Sequence, residues 1–144
     1  MKGTKMGGSM GAGWYQVIEK RETENKTLGP VIEVLIKGNI GGKDFVRYDK
    51  STAYGLCEGY IMIEAVSNNL LEVSEYHYCQ KDFEDYEEGR EDHGGSWARV
   101  EIEGADRTMM INSFAEFKKI YTDLYECIAS QNGWGKTVKC SFQL

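Results

Sequence analysis

Only one stretch of this chain carries helical periodicity, and that stretch decides what kind of fold the rest must supply. Between residues 113 and 131, Phe114, Phe117, Ile120, Tyr121, Leu124 and Ile128 recur on one face, while Lys118, Lys119, Asp123 and Glu126 fall mostly elsewhere. Ser113 and Glu116 form a capping box at its start, and Asn132-Gly133 supplies a stop. No second helix is available to cover this apolar stripe, so it must bury itself on a sheet.

The remaining sequence reads as strands. Residues 14–22 are rich in aromatic and β-branched side chains, and residues 23–27 form a polar break. Residues 31–37 (VIEVLIK) are nearly continuously apolar, as expected of a central strand covered on both faces. Pro30 precedes them, where a missing N–H is tolerated. Residues 39–43 (NIGGK) offer hairpin chemistry, and 45–48 return, completing a three-stranded meander. A loop over 49–59 leads to strands at 60–66 and 70–80 around the turn at 67–69 (SNN). Residues 97–103 alternate with Ala98, Val100 and Ile102 inward, and 108–111 are expected to close another hairpin. At the end, Val138, Cys140, Phe142 and Leu144 alternate with Thr137, Lys139, Ser141 and Gln143, the cleanest strand pattern in the chain.

The fold class this implies is α+β: a curved antiparallel sheet of about seven or eight strands, packed on the helix at 113–131 and followed by a final strand. Residues 1–13, with five glycines, read as a flexible tail, and 14–144 as one domain. Hydrophobic residues at 41% and charged residues at 28% suit a globular chain. No apolar run is long enough to span a bilayer, and the N-terminus lacks the apolar core of a signal peptide. The expected setting is therefore the reducing cytoplasm. Cys57, Cys79, Cys127 and Cys140 form no CxxC pair, and in that setting they are expected to remain thiols.

Charge is the most informative property for function. The chain carries 17 basic and 23 acidic residues, a net charge of −6. Between residues 82 and 92 lie seven acids (Asp82, Glu84, Asp85, Glu87, Glu88, Glu91 and Asp92) and one base, Arg90, which together also give −6. Phe83 and Tyr86 are interleaved with them. An acidic chain with no basic patch repels phosphate backbones, so direct nucleic-acid binding is disfavoured. An aromatic-studded acidic ribbon suits a protein partner with a basic surface. Its order does not match an EF-hand, and exposed loop acids are poor general acids at neutral pH.

Other candidate chemistry is weaker. His77 and Cys79 lie two residues apart on an expected strand, and His93 follows the acidic run, giving metal-type and thiol-type residues without a motif spacing. Residues 133–137 (GWGKT) resemble the end of a phosphate-binding loop, but the helix precedes them and a strand follows, the reverse of what that motif requires. Tyr48, Tyr54, Tyr60, Tyr76, Tyr78, Tyr86 and Trp97 crowd the middle of the chain and could line an interface or a pocket between sheet and helix.

The expectation is a non-enzymatic binding protein without a cofactor, an inhibitor of the immunity or phage anti-defence (anti-CRISPR) type. A small-molecule domain with an aromatic pocket is the alternative, and a Cys/His metal or thiol enzyme a more distant one. Exposed strand edges allow a homodimer by sheet extension.

Overall fold

The computed structural model describes residues 4–6, 13–26, 29–52, 58–77, 95–104, 106 and 108–141. Eight strands lie in one open sheet in chain order: β1 (Thr4–Met6), β2 (Gly13–Asn25), β3 (Gly29–Ile40), β4 (Lys43–Thr52), β5 (Glu58–Ser67), β6 (Leu70–His77), β7 (Gly95–Ile102) and β8 (Thr137–Cys140). Helix α1 (Phe114–Ser130) stands between β7 and β8. This is the α+β architecture read from the sequence. Three residues of the expected tail, Thr4–Met6, pair with β2 as an edge strand.

The antiparallel expectation needs one correction. β1 to β7 form an antiparallel meander, but β8 runs parallel to β7, with Val100 opposite Val138 and Ile102 opposite Cys140. The helix is the reason. A chain that leaves the end of β7 and is carried back by a helix re-enters the sheet in the same direction.

A second correction concerns residues 108–111, which form no hairpin. Thr108–Met110 is a 3-10 turn, started by Asp106, whose side chain accepts from the Thr108 backbone N–H at 2.9 Å. The buried Lys37 of β3 holds this turn against the sheet. Its ammonium donates to Met109 O and Asn112 Oδ1, both at 2.8 Å, and to Ile111 O at 3.5 Å. Lys37 thus fastens the β7–α1 connection by collecting carbonyls that the turn leaves unpaired.

The helix crosses the strands instead of running along one. Phe114 meets Glu19 of β2, Phe117 stacks on Tyr48 of β4, Tyr121 bonds to Glu75 of β6, and Cys127 reaches Cys140 of β8. Beneath it lies the core: Leu35, Val46, Ile63, Leu71, Val73, Val100, Leu124 and Ile128 are fully buried. The N-terminal cap is close to the expected box. Ser113 Oγ accepts from Glu116 N at 3.1 Å, but Glu116 Oε1 reaches one residue further back, to Asn112 N at 2.8 Å.

The C-terminal stop is a Schellman arrangement, with Asn132 N donating to Ala129 O at 3.0 Å and Gly133 N to Ile128 O at 2.8 Å. Asn132 takes the left-handed conformation, at φ 50°. Gly133 is required for a different reason: a Cβ there would stand 2.4 Å from Val138 Cγ1.

The described cysteines also differ from expectation. Cys127 and Cys140 form a disulfide, with Cα atoms 6.1 Å apart. Docking α1 beside β8 brings together two residues that no sequence motif links. Cys57 and Cys79 lie outside the described residues. Among the described residues, no helix is long and apolar enough to cross a membrane.

Two outcomes follow from these fastenings. Lys37→Met strands the carbonyls of the 3-10 turn and is expected to cost about 1–3 kcal/mol, read as a lower urea midpoint at unchanged slope. The disulfide closes a span of 13 residues, so Cys127→Ser with Cys140→Ser is expected to cost about 3 kcal/mol. Calorimetry should show the same loss in the native chain on adding reductant, and no reductant effect on the double variant.

Candidate functional site

The site begins with a slip in register. Gln16 and Val17 of β2 stand opposite Lys37 and Ile36, but after Val17 the pairing shifts by one, so Glu19 faces Leu35 and Arg21 faces Glu33. Strand side chains alternate between faces, and one extra residue turns every later side chain over. Ile18 is that residue. Glu19 and Arg21 consequently share the helix side of the sheet with the buried Leu35. Glu19 Oε1 accepts from the Phe114 backbone N–H at 2.7 Å, placing a carboxylate at the positive end of α1.

Next to it, Arg21 grips Glu33 with two bonds, Nε to Oε1 at 2.9 Å and Nη2 to Oε2 at 3.1 Å. The Tyr48 hydroxyl donates to the same Oε2 at 2.5 Å. These bonds, the one from Arg21 foremost, hold the Glu33 carboxyl below its ordinary pKa against the opposing effect of burial. Tyr48 moves the other way: burial, and then its bond to the Glu33 carboxylate, push its phenol well above the ordinary value. The Arg21 guanidinium also lies over the Phe114 ring, 4.8 Å from its centre.

From Tyr48 an aromatic ladder climbs the helix. Tyr48 stacks on Phe117 at 5.9 Å, Phe117 on Tyr121 at 6.2 Å with ring planes within 3°, and Tyr121 contacts Tyr125, which contacts Trp134. The four-residue spacing of Phe117, Tyr121 and Tyr125 sets these rings one above another. Tyr121 donates to Glu75, and burial followed by this bond raises its phenol strongly.

Between this ladder and the sheet is a cavity of about 340 Å³. The sheet lines it with Arg21, Glu33, Tyr48 and Ile61, the helix with Phe114, Phe117, Lys118, Tyr121 and Thr122. On β3, Leu35 lies buried between Lys37, which meets the β7–α1 connection, and Glu33, which lines the cavity. The helix therefore has one flank filled and the other open. Glu33, Lys50, Gly59 and His77 stand opposite one another on β3 to β6, so β6 ends in line with the cavity's Glu33.

The expected contact residues Asp82, Phe83, Glu84, Asp85, Tyr86, Glu87, Glu88, Glu91 and Asp92 lie outside the described residues, as do Cys79 and His93. His77 is the last residue of β6. Among the described residues, no three His, Cys, Asp or Glu side chains gather closely enough to hold a metal ion.

Of the expected aromatic cluster, Tyr54, Tyr78 and Tyr86 lie outside the described residues, and the described tyrosines are divided between faces. Tyr60 and Tyr76 stack at 5.9 Å on the side away from the helix, with Arg47 over Tyr60 at 4.1 Å, while Tyr48 enters the cavity. No protein-family model, curated protein or solved structure matches the chain.

What the site offers chemically is a flat aromatic wall with two cations at its mouth and phenols locked as donors to carboxylates. Arg21, Glu33, Glu75 and Lys118 do not stand out in the sequence reading. Glu33 left one trace: it is the only acid within the apolar run VIEVLIK.

Because the Glu33 pKa is lowered in the folded chain, its stabilisation is complete above the ordinary value of 4.5 and is lost as pH falls below it. Glu33→Gln should therefore lower stability at neutral pH yet flatten its decline below pH 4.5, as followed by urea unfolding across that range. Parallel acid profiles of the two proteins would contradict this.

Proposed function

We propose that this chain is an inhibitor of the immunity or phage anti-defence type, acting without catalysis by masking a basic surface on a partner protein. The observation that carries the reading is the confinement of the whole net charge of −6 to residues 82–92. The fold supports it in two ways. Tyr76 and Gly95 are paired neighbours on β6 and β7, so in sequence the acidic run lies between two anchored strand ends, and segments that connect strands commonly carry recognition. Three arginines already have carboxylate partners within the sheet, in the pairs Arg21–Glu33, Arg47–Asp49 and Arg99–Glu72.

On this reading the acids enter a groove that otherwise receives nucleic acid or another anion, and long-range attraction speeds the encounter. The edge strands β1 and β8 provide a route to a homodimer by sheet extension. Cytoplasmic action belongs to the same proposal and requires the fold to persist with Cys127 and Cys140 reduced, since disulfides endure chiefly in oxidising compartments.

A second reading, a small-molecule binding domain, is favoured by the cavity between α1 and the sheet, whose aromatic lining and few converging polar groups are typical of ligand sites.

The first reading is tested by a pull-down from the native host or its competitor at low and high salt. Association with the captured partner is then timed for the wild type and for a variant carrying Asp82→Asn, Glu84→Gln, Asp85→Asn and Glu87→Gln. The variant should associate roughly tenfold more slowly or worse at low salt, with an unchanged melting temperature. Equal association rates would remove the proposal.

A further inference from the structure

Resting on the second reading, the geometry points to a ligand class for the cavity: a small planar aromatic carboxylate, its ring among Phe114, Phe117, Tyr121 and Ile61 and its anionic end at Arg21 and Lys118. The argument is an inventory of what the lining groups have left to give. Both oxygens of Glu33 are occupied, one by Arg21 and the other by Arg21 and Tyr48. The phenol protons of Tyr48 and Tyr121 are committed to Glu33 and Glu75, so toward the cavity these hydroxyls present only acceptor lone pairs. Among the described residues that line the cavity, Glu33 is the one carboxylate, and both its oxygens are engaged.

Positive charge, by contrast, is in surplus. Arg21 spends two of its N–H groups on Glu33, and its side chain stays half exposed, with no bond from Nη1 among the described residues. Lys118 lies on the exposed side of the same helical turn and has no carboxylate partner among the described residues. With Arg21, Lys118 and Glu33 ionised, the lining carries one net positive charge, which a single carboxylate balances. Thr122 adds a hydroxyl at the rim.

The walls choose the body of the ligand. Rigid rings at Phe114, Phe117 and Tyr121, with Ile61 on the sheet side, favour a flat, rigid aromatic body over a flexible chain. About 340 Å³ lies at the lower end of the range for ligand sites, enough for one or two fused rings.

The test uses the full chain and calorimetric titration with three probes: naphthoate, the neutral naphthalenemethanol, and decanoate. Naphthoate should bind at least about tenfold more tightly than either of the others. Lys118→Met should cut the advantage of naphthoate over naphthalenemethanol severalfold, and an undiminished advantage overturns the assignment of the anionic end. Equal affinity for naphthoate and its neutral analogue overturns the anionic assignment while leaving the cavity reading in place. Decanoate matching naphthoate overturns the planar assignment in the same way. If none of the three binds, the cavity reading itself falls.

Discussion

The structure depends on one apolar helix being laid across a sheet and held there at both ends. A stripe of Phe114, Phe117, Leu124 and Ile128 finds cover only on the strands, and the hydrophobic term rewards contact without specifying direction. Direction comes from polar and covalent fastenings. Glu19 receives the first backbone N–H of the helix, and the Cys127–Cys140 disulfide ties its last turns to β8. Between those points the helix traverses β2 to β8, so each turn meets a different strand. A helix aligned with the strands would have covered fewer of them and left no sheltered angle beside it.

That crossing divides the helix side of the sheet. On one flank Lys37 draws the 3-10 turn down and closes the gap. On the other, the helix and sheet diverge over Glu33, Tyr48 and Ile61, and a cavity remains. Its polar groups neutralise one another in part: the bond from Arg21 holds the Glu33 carboxyl below its ordinary pKa, and burial with the bond to that carboxylate raises the Tyr48 phenol. A partly buried network of this kind costs some desolvation and is tolerated when its members are satisfied. The unspent charge then sits at the rim, where a ligand can use it.

Much of this was legible beforehand. The helix boundaries followed from Ser113, Glu116, Asn132 and Gly133, because caps are local chemistry. Strands β3, β5 and β6 and the turns between them followed from β-branched runs interrupted by residues such as Asn68, Asn69, Gly41 and Gly42, with Asn69 and both glycines at positive φ. The parallel placement of β8 was not legible, because alternation reports a buried face and not the neighbour that covers it. The disulfide was missed for a related reason: spacing in sequence does not report proximity when a helix intervenes.

What the sequence alone determined is the helix with its caps, most of the strands with the turns between them, and the concentration of negative charge in one segment. These are properties of residues within a few positions of each other. What only the tertiary structure decided is the site. The slip after Val17 turns Glu19 and Arg21 toward the helix, and nothing in residues 13–25 marks Ile18 as the extra one. The crossing of α1 then sets Phe117 on Tyr48 and Tyr121 against Glu75, residues 69 and 46 positions apart. Such meetings are fixed by register and packing across the whole sheet, which is information that no single window of the chain contains.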